Sequence, residues 1–248
     1  MVLRKILTST AITLIGFLIA GSCARAQDVQ RRAFYSKPVE LKLGRLSQLG
    51  ERFYPIGWSR DGKFAYIVEP ADEACGCYFA KLVIKDLKTD TVLWDFDYES
   101  TAFDEKDNKP KSLPAFWRSN RTLFSKKLRE YKISQKEGFA LQPFPALYQG
   151  DELTARLSLE RNGQAWLKEA VSAIRLQVNS KRRGKKTVYE KTNVAGSMIL
   201  EVMVLGYLRS QFEPRVALVL IEVHRGYEGP PSVAKINIIG SDLFSGFK

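Results

Sequence analysis

The sequence predicts a mainly β protein (β-rich α+β): antiparallel sheets with propeller-blade-like hairpins in two halves, and one central helix. Three observations carry this. Short runs that alternate apolar and polar residues, rich in β-branched and aromatic side chains, recur along the chain, which is the pattern of half-buried strands. Turn residues separate them: Arg60-Asp61-Gly62, Lys88-Thr89-Asp90, Asn162-Gly163 and Gly229-Pro230-Pro231. One central stretch instead has helical spacing and a helix-start signal. Hydrophobic residues at 45% and aromatics at 11% argue for a packed core rather than disorder.

At the N-terminus, Arg4 and Lys5 precede an uncharged, largely apolar run, Ile6 to Ala20, and then small residues. The run is about fifteen residues, short of the roughly 20 a membrane span needs. Ala24-Arg25-Ala26 fits the A-x-A cleavage pattern. Residues 1–26 are therefore expected to be a signal peptide, with the mature chain starting at Gln27. Cys23, in "IAGSC", is a lipidation candidate, although Ala20 stands where a lipoprotein signal usually has Leu. Lipidation would give a lipid-anchored rather than a free periplasmic or extracellular protein. Removing residues 1–26 takes away Arg4, Lys5 and Arg25 and no acid, so the formal charge falls from +12 to +9. Residues 27–248 are long enough for one sizeable β-rich domain, with halves of about 27–110 and 150–248.

Strand candidates in the first half are 39–45, 54–59, 63–69, 78–86 and 91–98. Ser112-Leu113-Pro114 then supplies an N-cap and a proline in the first turn. Phe116, Leu123, Phe124, Leu128 and Tyr131 recur at helical spacing, so a helix is expected over 113–131. "EGFALQPFPALYQG" is a proline-containing connector into the second half. There the candidates are 152–160, 170–179, 186–191, 198–208, 215–224 and 233–239. Between two of them lies "SKRRGKK", with Lys181, Arg182, Arg183, Lys185 and Lys186 around Gly184. It reads either as a polyanion-binding patch for an anionic surface or as a solvated hairpin tip whose charge resists edge pairing. The solvated tip is the favoured reading.

"GWSRDGKFAYIVE", Gly57 to Glu69, resembles the strand-turn-strand signature of the WD40-like propeller repeats of TolB-type periplasmic proteins, with Arg60 in place of their usual proline. The stretch 210–243 echoes it: Lys63-Phe64-Ala65 aligns with Arg215-Val216-Ala217, and Leu82-Val83-Ile84 with Ile236-Asn237-Ile238. Two copies do not make a propeller, which needs at least about four blades. Together with the ending "FEPRVALVLIEVHRGYEGPP…IIGSDLFSGF", the signature is similar to a family of predicted secreted bacterial proteins without an assigned activity. The resemblance implies secretion and a β-rich fold, and brings no catalytic residue with it.

Among chemistry-bearing residues, the only histidine is His224. A hydrolase triad would need it held by Glu222 or Glu228 beside a nucleophile, and no G-x-S-x-G elbow accompanies it. Asp95, Asp97 and Glu99 alternate onto one strand face, where a calcium ion could bind, and Asp104 to Asp107 adds further acids. A solvated charged face is the favoured reading. No phosphate-loop, dinucleotide or zinc-protease motif is present, so no catalytic residue, metal or cofactor is assigned.

Cys75-Gly76-Cys77 stands just before the strand 78–86. An oxidising compartment favours pairing. In an extended strand residues i and i+2 are separated by about 6.6 Å, near the upper limit for a disulfide, and Gly76 lets the backbone bend to close the gap. So small a ring stabilises by only about 1–2 kcal/mol. A structural disulfide is the favoured reading, with two free buried thiols, a metal clip and a redox pair as the others. The expected function is that of an exported, non-catalytic protein whose β-surface binds another protein or an envelope component. Export makes nucleic acid an unexpected partner. The alternative is a dispersed-site enzyme, working through Cys75 and Cys77 as a thiol redox pair or through His224 as a hydrolase.

Overall fold

The computed structural model describes residues 38–39, 49–73, 75–100, 109–161, 169–192, 198–226 and 229–248. The expected signal peptide 1–26 with Cys23, the strand 39–45 beyond Val39, the Asn162-Gly163 turn, the acids of 104–107 and Glu228 lie outside the described residues.

The chain is mainly β, as expected. After β1 (Leu49–Gly50) come β2 (Arg52–Trp58), β3 (Lys63–Glu69), β4 (Tyr78–Asp86) and β5 (Thr91–Ser100), an antiparallel meander in chain order. The helix α1 (Leu113–Glu130) follows, and then β6 (Ser134–Gln135), which pairs with the outer edge of β2. In the second half β7 (Ala146–Tyr148), β8 (Asp151–Arg161), β9 (Val171–Ser180) and β10 (Gly184–Thr192) form a second antiparallel sheet. The last strands, β11 (Ile199–Arg209), β12 (Arg215–Gly226) and β13 (Gly229–Asp242), form a third sheet, which β1 joins in parallel beside β13.

The third sheet lies between the other two, and β12 shows why. Its run "VALVLIEV" is apolar on both faces. Ala217 and Val219 pack with Phe53, Phe64, Tyr66 and Val83 of the first sheet. Val216, Leu218 and Leu220 pack with Leu153, Ile174, Leu176 and Val178 of the β7–β10 sheet. A strand buried on both sides needs no polar alternation, as in sheets covered on both faces. β8 closes the stack and does alternate, with Thr154, Arg156, Ser158 and Glu160 exposed.

On its other face the first sheet carries α1. Phe116 and Phe124 meet Phe96 at ring separations of 6.1 and 5.4 Å, and Phe124 also meets Trp94 at 6.4 Å. The predicted helical face needs one exchange: Trp117 is buried, whereas Leu123 is exposed. Ser112 is the N-cap, but only its carbonyl contributes, accepting from Phe116 N at 2.8 Å.

The predicted strands within the described residues are found: 63–69 and 78–86 as expected, 170–179 and 198–208 shifted by one residue, and the others longer, β13 most of all at 14 residues. The Gly229-Pro230-Pro231 turn is a correction: these residues open β13, with Gly229 opposite Gly226. Prolines are tolerated at a strand start because no ladder donor is required there. The short strands β1, β6 and β7 carry no periodicity and were not predicted. The Ser59–Lys63 turn is built as its sequence implies. The Ser59 hydroxyl donates to Asp61 at 2.5 Å and accepts from Lys63 N at 2.8 Å, and the Lys63 ammonium and Ser59 hold the Asp61 carboxyl at about 2. The echoed strand pairs β3–β4 and β12–β13 share order but not register, since Ala65 faces Ile84 whereas Ala217 faces Gly240.

Candidate functional site

An open cleft of about 790 Å³ lies where the first sheet meets β1 and the start of β13. From the loop between β3 and β4 come residues 70–73 and Cys75, and Phe79, Pro231 and Lys235 also line the cleft. That loop is held at three levels. At its base Glu69 accepts from Tyr78 Oη at 2.8 Å and from Tyr54 Oη at 2.5 Å, with Arg52 3.6 Å away. Burial and the Glu69 carboxylate push the Tyr54 phenol up to about 12. Midway, Asp72 accepts from the amides of both Cys75 and Cys77, at 3.0 and 3.1 Å. At the tip Cys75 and Cys77 are joined by a disulfide with their Cα atoms 5.2 Å apart. Gly76, at φ 65°, supplies the bend that closes the extended spacing. The disulfide takes the place of the free-thiol and metal-clip readings.

Across the cleft floor, Glu51 does the work of a strand residue with its side chain. Its amide donates to Ala234 O at 3.1 Å, and its carboxylate accepts from Ile236 N at 2.6 Å. Burial raises its pKa, and the Ile236 amide and the charges of Lys235 and His224 offset this only in part. The cleft thus contains a half-buried carboxyl with a displaced titration, the kind of group that concentrates at functional sites.

The other predicted residues lie elsewhere. His224 Nε2 is 3.5 Å from Glu222 Oε2, so the predicted carboxylate partner is in place. The hydroxyl beside that carboxylate belongs to Tyr189, at 3.0 Å, and burial pushes this phenol up, away from nucleophilic use. Asp95, Asp97 and Glu99 share the exposed face expected of them, and Lys81 sits between Asp95 and Asp97 at 2.7 and 3.1 Å. An ammonium ion therefore occupies the position considered for calcium.

The basic stretch is the tip of the β9–β10 hairpin, with Lys181, Arg182 and Lys185 exposed as the solvated-tip reading expects, and several of its cations have partners. Lys181 pairs with Glu152 at 2.9 Å, and Arg183 donates from Nη2 and Nε to the buried Asp151 at 2.8 and 3.0 Å. The Lys186 ammonium donates to the carbonyls of Asp242 and Ser245. Burial brings Lys186 down to about 8. Arg182 and Lys185 keep their side chains at the surface.

Of the cleft residues, the sequence singled out Cys75 for its chemistry and Gly229-Pro230-Pro231 only as a turn. Asp72 had a legible signal, an Asx residue shortly ahead of amides that it can cap. Glu51 had none. Among the described residues the fold is a stack of three β-sheets and one helix, with a cleft at one edge whose lip is tied by Glu69, Asp72 and the Cys75–Cys77 disulfide. Comparison with protein-family models, with curated proteins and with solved structures gives no match.

Proposed function

We propose that the chain is exported and acts as a binding protein, holding part of another protein or of an envelope component in this cleft. The observation that carries the reading is the lip pinned at its base, middle and tip by Glu69–Tyr78, Asp72 and Cys75–Cys77. A preorganised wall cuts the ordering cost of binding, and the apolar surface of Phe79 and Pro231 beside the charges of Glu51, Asp72 and Lys235 suits a mixed ligand. Kinship with secreted WD40-like modules belongs to the same proposal, because an antiparallel four-strand meander such as β2–β5 is also the unit of a propeller blade.

A redox role for the pair is disfavoured by the Asp72 carboxylate, 3.3 Å from Cys75 Sγ. An anion there opposes formation of the thiolate that exchange chemistry requires. The reading is tested by capture from envelope extracts on the immobilised chain. Phe79→Ala should weaken capture roughly tenfold, as loss of a central aromatic contact does. Leu147→Ala, at a side chain on the distant β7 edge, should leave it unchanged. Equal capture by all the chains would remove the cleft from consideration.

A further inference from the structure

Residues 243–248 lie across the basic tip of the β9–β10 hairpin, and their contacts are those of a bound peptide. Lys185 and Lys248 exchange backbone N–H···O bonds, each at 3.1 Å, extending the edge of β10 as an added strand would. Arg183 Nη1 donates to Phe244 O at 2.8 Å, and the Lys186 ammonium donates to the carbonyls of Asp242 and Ser245. Two rings meet these cations: the half-buried Phe247 ring lies 4.9 Å from the Arg183 guanidinium and 4.5 Å from the Lys186 ammonium, a doubled cation–π contact, and the exposed Phe244 ring lies 5.4 Å from Arg183. Backbone-directed bonds with one aromatic pocket are the way extended segments are recognised on sheet edges.

The Arg183 side of the groove does not depend on this segment for its position. Asp151, only 4% exposed, fixes Arg183 from below and also accepts from the Ser180 hydroxyl. The segment, by contrast, is lightly held. Leu243 is buried, but Phe244, Ser245, Gly246 and Lys248 are exposed and Phe247 is half-buried. Beyond Leu243, Phe247 is the side chain that packs against the core, and segments with few buried apolar contacts open at low free-energy cost.

We propose that Phe244–Lys248 is a displaceable strap, and that the groove beneath it binds an extended segment of a partner protein carrying an aromatic side chain in the place of Phe247. The groove lies at the Asp242 end of β13 and the cleft at its Gly229 end, so the groove is a second site. While the strap is down, Arg183 and Lys186 are engaged by its carbonyls, and the partner must compete for them.

The test uses the full chain and a fluorescein-labelled peptide of sequence DLFSGFK, read by fluorescence anisotropy. The peptide should bind the Phe247→Ala chain at least tenfold more tightly than the unaltered chain, because the altered strap competes less well. The same peptide with alanine in place of the second phenylalanine should lose that affinity. If Phe247→Ala does not fold, as judged by circular dichroism, Phe247→Leu keeps the apolar volume without the aromatic face and should give the same order. Equal binding to the altered and unaltered chains, or no binding to either, would overturn the proposal.

Discussion

Glu51 and Glu222 are carboxyls shifted in opposite directions, and the contrast is measurable. Burial would raise Glu222, but His224, the charge of Lys191 and the Tyr189 hydroxyl outweigh it and hold the carboxyl at about 2. Its folded pKa is below the unfolded one, so the stability it contributes is complete above about pH 4.5 and is lost as pH falls toward 2. Glu222→Gln should lower stability at neutral pH and flatten the acid side of the curve, as read by urea unfolding across pH 2–7. Glu51 behaves the other way. Its folded pKa is raised, so the folded state holds the proton longer, and its contribution to stability declines as pH rises through that pKa. Glu51→Gln keeps an acceptor for Ile236 N and removes the buried charge. It should therefore raise the unfolding midpoint at pH 7, with the difference from the unaltered chain closing at low pH. A gain of stability on neutralising a cleft residue is the signature of a group retained for function. At this scale the cysteine pair was legible because two residue types and a glycine state the geometry themselves. Glu51 was not, because its role comes from β13, which lies far away in sequence.

Among the elements, α1 and the β4–β5 hairpin have clear dependencies. Phe124 is fully buried against Trp94, Phe96, Phe116 and Trp117. Phe124→Ala should cost about 3–5 kcal/mol in denaturant unfolding, the range for deleting a buried aromatic ring. The hairpin tip docks on β13 at Gly240, whose amide donates to Asp90 Oδ1 at 2.8 Å and where an added Cβ would lie 1.9 Å from Leu87 O. Gly240→Ala must push backbone from backbone, and should lower the thermal midpoint by an amount equivalent to about 1–3 kcal/mol or more. The helix could be read from its cap and period, but the 3.6-residue spacing alone did not separate Trp117 from Leu123. Ring packing against Phe124 decides that. The basic hairpin tip was also legible as a tip, whereas its engagement with 242–248 joins residues about sixty positions apart, which no local pattern records.

For the molecule as a whole, alternation identified nearly every long strand but could not assign strands to sheets. Period two says that one face is buried and leaves open which layer buries it. The continuous apolar run of β12 was the one hint of a central position. Hydrogen exchange should accordingly be slowest at the amides of Val216–Val223, which lie between two cores, and faster along the outer edges of β5 and β10. The first and third sheets bring the loop after β3 against the start of β13 and so create the cleft, and the claim that this cleft binds is tested most directly by photocrosslinking. A benzophenone amino acid placed at Phe79 should yield one discrete adduct when the chain is irradiated in its native compartment, and the same residue at Leu147 should yield none of that species. Adducts of the same identity and yield from both positions, or none from Phe79, would contradict the account.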